Sequence, residues 1–334
     1  MPEKKVEIAG AICAPPSTTG GSNQPRQPTN LQGLLKYCVE ATKNEDAPLG
    51  STVGLPLMDE ERRKWLEGAI KSMTVNVIEL LQKQVSILQN VDKISSDNDV
   101  SQYLEATEVI LDHIDNIDIA CDFHKIGGFT ILYPCLNSSN SQIRATGCEL
   151  LAVLCQHNPY CQKVVLDNEF IPILLNMIKE DQDVSVVIKA VYALSCIVRH
   201  NPDGFSQFIN YNGPAILLTT FQRNEDKLIT KVTFFLDSLC TTHPDFKSRL
   251  VFLDYVPNLI QAISKERQHS NEHVLSLLAS LVEENATALG DCRNPKYNLQ
   301  QILQHYIEEH KDNEECIEEL QHCKRMLYLV FGVN

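Results

Sequence analysis

GGFTIL (127–132), EFIPIL (169–174), NGPAIL (212–217) and DYVPNLI (254–260) are four versions of one helical phrase. Each runs to an aliphatic anchor, Leu132, Leu174, Leu217 and Ile260, at steps of 42, 43 and 43 residues. A second ladder runs out of phase with the first. Its rungs are Leu111/Ile114, Leu151/Leu154, Leu194/Ile197, Leu236/Leu239 and Leu278/Leu281, at steps of 40, 43, 42 and 42. A three-residue gap puts both members of a rung on one helix face. Two ladders sharing a period mark a tandem array, in which each unit buries its apolar face on the next. Arrays of this kind present an extended binding surface rather than a catalytic pocket.

Composition narrows the class. The chain has 334 residues, 43% of them hydrophobic, enough to supply a long continuous core. Its formal net charge of −14 argues against a nucleic-acid binder, which needs a basic stripe, and against anionic membrane surfaces. No apolar run approaches the length of a membrane span. IAGAICA (8–14) is too short and weak for a secretory signal, so the N-terminus reads as a tail. The twelve cysteines form no C-x-x-C pair, and several sit inside apolar helical phrases such as ALSCIV (193–198). That is the pattern of reduced core thiols, and it implies the cytosol, with the nucleus also open.

Residues 10–30 are rich in Pro, Gly, Ser, Thr and Gln, which predicts disorder. NLQGLLKYCVE (30–40) is an apolar island between this stretch and a second flexible one at 43–58. It reads either as a recognition segment or as a chance cluster in a tail. Asp59, Glu60 and Glu61 then mark a helix start, followed by an apolar stripe of Trp65, Leu66, Ala69, Ile70 and Met73. A second helix is expected at about 75–90. The predicted organisation is a flexible segment at 1–57, an N-terminal helical cap at 58–100, armadillo-like repeats over 101–268, and a degenerate repeat with a C-terminal cap over 269–334.

Punctuation supports that division. His-Asn-Pro stands at 157–159 and 200–202, Thr-His-Pro at 242–244, and Pro172, Pro214 and Pro257 fall just inside helix starts. Each unit therefore reads as a long helix, a proline break, a short helix, a turn and a third helix. A four-stranded propeller blade has a similar period, but one Trp and a spacing of three and four exclude it. The expected fold is all-α, a right-handed solenoid of about four armadillo-like repeats with helical caps at both ends.

Catalytic signatures are missing. There is no glycine-rich phosphate loop, no G-x-S-x-G and no H-E-x-x-H. His269 and His273 have metal-ligand spacing but no evident third ligand. Cys148, Cys155, His157 and Cys161 read as core packing and a loop rather than a metal cluster. The expectation is a protein that is not an enzyme, holds no metal and takes no cofactor. More informative is a stripe on the long helices, set off from the leucine rungs: Lys189, Tyr192, Cys196 and Arg199 in one unit. Lys231, Phe234 and Ser238 come one unit later, then His273, Ser276 and Ser280, with Glu149, Val153 and Gln156 one unit before. Basic and aromatic groups on one face of an acidic protein point to an acidic partner surface. The alternative is an ordinary solvated helix face.

VVIKAVYALSCIVRHNPDGFSQFI (186–209), KVTFFLDSLCTTHPDFK (231–247) and NEHVLSLLASLV (271–282) resemble the armadillo-type nucleotide-exchange factors of heat-shock protein 70, the heat-shock-protein-70-binding-protein-1 family. NLQGLLKYCVE, MDEERRKWLEGAI (58–70), NLQQILQHY (298–306) and EECIEELQHCKRML (314–327) extend the resemblance over about 30–330. The resemblance implies a concave armadillo face that embraces the chaperone's ATPase domain and promotes ADP release, so aiding client release. It also implies matched positions at Lys189, Tyr192, Arg199, Lys231, Phe234, Glu272 and His273, and a client-release motif at Leu31, Leu34 and Leu35. Contacts at Glu149 and Gln156 are expected from the stripe. The partner is the chaperone, with no nucleic acid and no membrane, and the protein is expected to be a monomer. A peptide-carrying adaptor is the other reading, but such grooves need an asparagine ladder, and those positions hold His113, Val153, Cys196, Ser238 and Ser280.

Overall fold

In the computed structural model, residues 60, 64, 65, 76–94, 99–265, 267–283 and 285–333 are described. The chain divides into two compact units, Met1–Asn76 and Val77–Asn334. Of the first, Glu60, Lys64 and Trp65 are helical, with Lys64 Nζ 3.3 Å from Glu60 one turn away. The expected island at 30–40, with Leu31, Leu34 and Leu35, and the stripe positions Leu66, Ala69, Ile70 and Met73 lie outside the described residues.

Every secondary-structure element among the described residues of the second unit is helical. Helix α1 (Val77–Leu88) is followed by α2 (Ser101–Ile114), α3 (Ile117–Lys125) and the short α4 (Leu132–Leu136). Three further triplets repeat this pattern: α5 (Ser141–Cys155), α6 (Pro159–Asp167) and α7 (Phe170–Glu180); α8 (Val184–Val198), α9 (Pro202–Asn210) and α10 (Gly213–Thr219); α11 (Asp226–Thr242), α12 (Phe246–Phe252) and α13 (Tyr255–Ile263). A fifth comprises α14 (Asn271–Val282), α15 (Ala286–Cys292) and α16 (Leu299–His310), and α17 (Ile317–Phe331) ends the stack. The long helices pack in series, α2 on α5, α5 on α8, α8 on α11, α11 on α14 and α14 on α17.

The ladders explain the packing. Every rung residue from Ile114 to Leu281 is at most 1% exposed, and Leu111 alone is half-buried. The anchors Leu132, Leu174, Leu217 and Ile260 are equally buried. At roughly 25 cal/mol per Å² of apolar surface, each buried Leu or Ile contributes about 2 kcal/mol, and the rungs form one core running from unit to unit. Cysteines belong to it. Burial pushes the thiols of Cys135, Cys240, Cys292 and Cys323 up to about 12, so they stay protonated and act as small apolar groups.

Candidate functional site

Two caps set where the stripe-bearing helices begin. Asn140 accepts from the amides of Gln142 (2.9 Å) and Ile143 (3.3 Å) at the head of α5. Asp183 accepts from Ser185 N at 2.9 Å at the head of α8. With the rungs turned inward, the positions between them face outward. Those outward side chains interlock from helix to helix across the array.

Lys189 on α8 pairs with Glu149 on α5 at 2.5 Å. One turn on, Tyr192 donates its hydroxyl to Gln156 Oε1 at 3.1 Å. Lys231 on α11 lies over the Tyr192 ring, its Nζ 5.1 Å from the centroid. Arg199, at the end of α8, donates from Nε to Ser238 Oγ at 3.1 Å and sets its guanidinium 5.2 Å from the centroid of Phe234. Phe234 in turn meets the His273 ring of α14 edge-on at 5.9 Å, and Ser276 donates to Asp237 at 3.0 Å. Glu272 stands 3.9 Å from His273, and burial raises its carboxyl above the usual range. Of the nine stripe candidates, Glu149, Lys189, Tyr192, Lys231, Phe234, Glu272 and His273 thus lie on successive long helices, and Gln156 and Arg199 cap the ends of α5 and α8.

The electrostatics are more mixed than a basic stripe. Lys189 is neutralised by Glu149, so among the described stripe residues Lys231 is the exposed ammonium without a carboxylate partner, held over an aromatic face. Phe234 is 50% exposed, which is unusual for so large an apolar group and marks it as available for contact. Gln156, Tyr192, Cys196, Arg199, Lys231 and Phe234 line an open cleft of about 420 Å³ between α5, α8 and α11.

Sequence reasoning missed the rest of this cleft. His157 and His200 border it, each in left-handed backbone (φ 53° and 57°) just before an asparagine cap. Gln162 closes its floor, donating to the carbonyls of Cys155 (3.1 Å) and Cys196 (2.9 Å) and so tying two units together. The repeated His-Asn-Pro was the available signal, but proline drew attention from the residues around it. Elsewhere, His269 lies exposed in the turn before α14 while His273 lies on the helix. Among the described residues no group of three or more His, Cys, Asp or Glu is arranged to hold a metal, and no helix is long and apolar enough to cross a membrane.

Comparison with known proteins gives this geometry a family. The model of the SIL1/FES1/HPBP1 C-terminal domain matches residues 119–289, and that of nucleotide exchange factor Fes1 matches 31–123. Hsp70-binding protein 1 of Rattus norvegicus is 30% identical over 341 residues, 96% of this chain and 94% of that one. Hsp70-binding protein 1 of Homo sapiens is 30% identical, covering 92% and 87%. Among solved structures, a designed armadillo repeat protein in complex with the peptide (KR)4 superposes with a TM-score of 0.58 at 12% identity, over 77% of this chain and all of that one. Computationally designed armadillo repeat proteins for modular peptide recognition give 0.58 at 12% identity, over 75% of this chain and 99% of theirs. These structural likenesses show an armadillo-like all-α solenoid. With a family model over half of its length and relatives at 30% identity over nearly all of it, the chain belongs to the SIL1/FES1/HPBP1 family of Hsp70 nucleotide-exchange factors.

Proposed function

We propose that this protein is a co-chaperone that binds the ATPase domain of an Hsp70 chaperone through the outward face of its long helices and accelerates ADP release. The observation that carries this reading is the interlocked stripe from Glu149 to His273, which joins α5, α8, α11 and α14 and leaves Lys231 and Phe234 exposed at its middle. A rigid series of packed helices can favour an opened ATPase domain over a closed one. A hundredfold faster release needs about 2.7 kcal/mol of differential affinity. An interface of standard size supplies that from a few anchors. In this role the protein catalyses no covalent step. It works as a cytosolic monomer, and Leu31, Leu34 and Leu35 assist client release.

Release of a fluorescent ADP from a cytosolic Hsp70, monitored by stopped flow, tests the reading. Acceleration of about tenfold or more is expected. Lys231→Glu should weaken chaperone binding about tenfold or more, since it sets a carboxylate against an acidic surface, with unchanged melting. Lys189→Glu alone is a poor probe, because it faces Glu149 and disturbs the array itself. Normal binding by the Lys231 variant would sink the assignment of this face. Deleting 1–57 should leave exchange intact and slow client release. Loss of exchange would put that segment in the main interface.

A further inference from the structure

We propose that the cleft between α5, α8 and α11 is a carboxylate pocket, which seats one acidic side chain of the chaperone's ATPase domain. It rests on the function proposed above and names the chemistry that this face selects. Carboxylates outnumber cations in this chain, 43 to 29. Among the described residues, Arg144, Lys189, Arg267 and Arg325 each reach a carboxylate from a distant part of the chain: Asp181 at 2.7 Å, Glu149 at 2.5 Å, Glu319 at 2.9 Å, and Glu283. Arg199 and Lys231 reach aromatic rings instead, those of Phe234 and Tyr192. Such a ring holds a cation in place without neutralising it. Both cations line the cleft, and none of the residues lining it is acidic. Two positive charges are thus fixed in one opening of a strongly acidic protein.

A neutral donor points the same way. Ser195 lines the cleft at only 9% exposure, and its hydroxyl makes no hydrogen bond among the described residues. An unpaired hydroxyl so nearly buried costs free energy that a ligand oxygen recovers. Arg199 spends its Nε on Ser238 at 3.1 Å, which leaves the terminal nitrogens of the guanidinium for a ligand. The floor is set in advance, because Gln162 spends its amide on the carbonyls of Cys155 and Cys196 at 3.1 and 2.9 Å. Groups held before binding lose little freedom on binding, so charge-assisted hydrogen bonds to them keep most of their strength. The walls choose between anions. A volume of about 420 Å³ takes a whole side chain, and Tyr192 and the half-exposed Phe234 offer carbon surface to its methylene stem. A bare inorganic anion has no stem to bury there.

The test uses the full-length protein and an intact cytosolic Hsp70, with affinity read by calorimetry and exchange by release of a fluorescent ADP. Arg199→Gln and Lys231→Gln remove charge without adding repulsion, and each should weaken binding about tenfold. Lys231→Gln breaks no hydrogen bond among the described residues, so it reads the pocket even where Arg199→Gln lowers the melting temperature. Ser195→Ala should weaken binding about fivefold. Lys163→Gln makes the same charge change on exposed α6, outside the cleft, and should bind as wild type. Lys231→Glu is then set against a panel of chaperones, each with one surface carboxylate of the ATPase domain replaced by lysine. One member should restore about tenfold in affinity, and that member should bind the wild-type protein more weakly. Equal losses for Lys163→Gln, wild-type affinity of Arg199→Gln and Lys231→Gln, or a panel without a restoring member would overturn the pocket while exchange by the wild type keeps the function. A wild-type protein that neither binds nor accelerates release would overturn the function, and the pocket with it.

Discussion

At the scale of single residues, the repeat is written in backbone conformation as well as in leucines. Gly127, Glu169, Asn212, Asp254 and Asn298 all have left-handed φ, at 84°, 55°, 55°, 62° and 50°. They stand at corresponding points, each just ahead of the last helical segment of its unit, at steps of 42, 43, 42 and 44. Asn and Asp tolerate this conformation better than most, but Glu169 gains nothing there that glycine would lack. Glu169→Gly is expected to stabilise by about 0.5–1 kcal/mol, the relief of left-handed strain less the glycine's extra unfolded-state entropy. A lower urea midpoint would contradict this. Gly213 is the opposite case. A Cβ there would lie 2.1 Å from the Phe208 ring and 2.8 Å from its carbonyl oxygen. Gly213→Ala should cost about 2–3 kcal/mol in the wild-type chain, and much less when added to a Phe208→Ala background only if the ring, not the carbonyl, is the obstacle. Unchanged stability of the single variant would mean that the backbone yields.

At the scale of the element, caps rather than prolines start the short helices. Asn116, Asn158, Asn201 and Asn285 each accept an amide of the first turn, so the asparagine recurs every 42 or 43 residues with one position skipped. The skipped position is His243. There α12 begins later, at Phe246, without a side-chain cap, and the His243 ring stacks on Phe205 at 3.8 Å. The long helix α8 carries a titratable cap, Asp183. Hydrogen bonding by Ser141, together with the amides of Ser185 and Val186, holds the Asp183 carboxyl below the usual range. A depressed folded value stabilises α8 fully above about pH 4, the unfolded carboxylate range, and loses that contribution as the pH falls through the lowered value. Asp183→Asn retains a cap but not the charge. Its melting temperature should fall less steeply than wild type between about pH 4 and 2. Parallel curves would remove Asp183 from the acid response.

At the scale of the whole array, buried polar groups join the units where leucine packing alone would let them slide. Tyr255 is fully buried and donates to the Pro214 carbonyl at 2.7 Å. Arg144 holds Asp181 through two bonds, of 2.7 and 3.0 Å, and Arg267 reaches the buried Glu319 at 2.9 Å. Tyr255→Phe deletes that buried hydrogen bond and should cost about 0.5–1.5 kcal/mol, measured by chemical denaturation. A cost below a few tenths would mean that the carbonyl finds another donor. The end of the stack has its own requirement. Helix α17 buries Leu320, Cys323, Met326 and Val330 against α14, and Arg293 donates to the Val330 carbonyl at 2.7 Å. Removing residues 313–334 should uncover the rung Leu278/Leu281 side of α14, lower the melting temperature and promote self-association, read by light scattering. A monomeric, equally stable truncation would show that α14 needs no cover.

The sequence by itself determined the class, the period and the inward face. A 42-residue recurrence of L-x-x-L can be buried in one way only, by stacking helices whose leucines meet, and local spacing carries that information completely. It also placed Lys189, Tyr192, Arg199, Lys231, Phe234 and His273 on one outward stripe, because residues left over from a buried face share the opposite one. Only the tertiary structure decided what those residues do to one another. That Glu149 neutralises Lys189, that Tyr192 carries Lys231 on its ring, and that Gln162 bridges the carbonyls of Cys155 and Cys196 depend on how neighbouring helices are turned and offset. Pairings between side chains 36 to 40 residues apart are set by the packing of whole helices, and no local pattern in the chain records them.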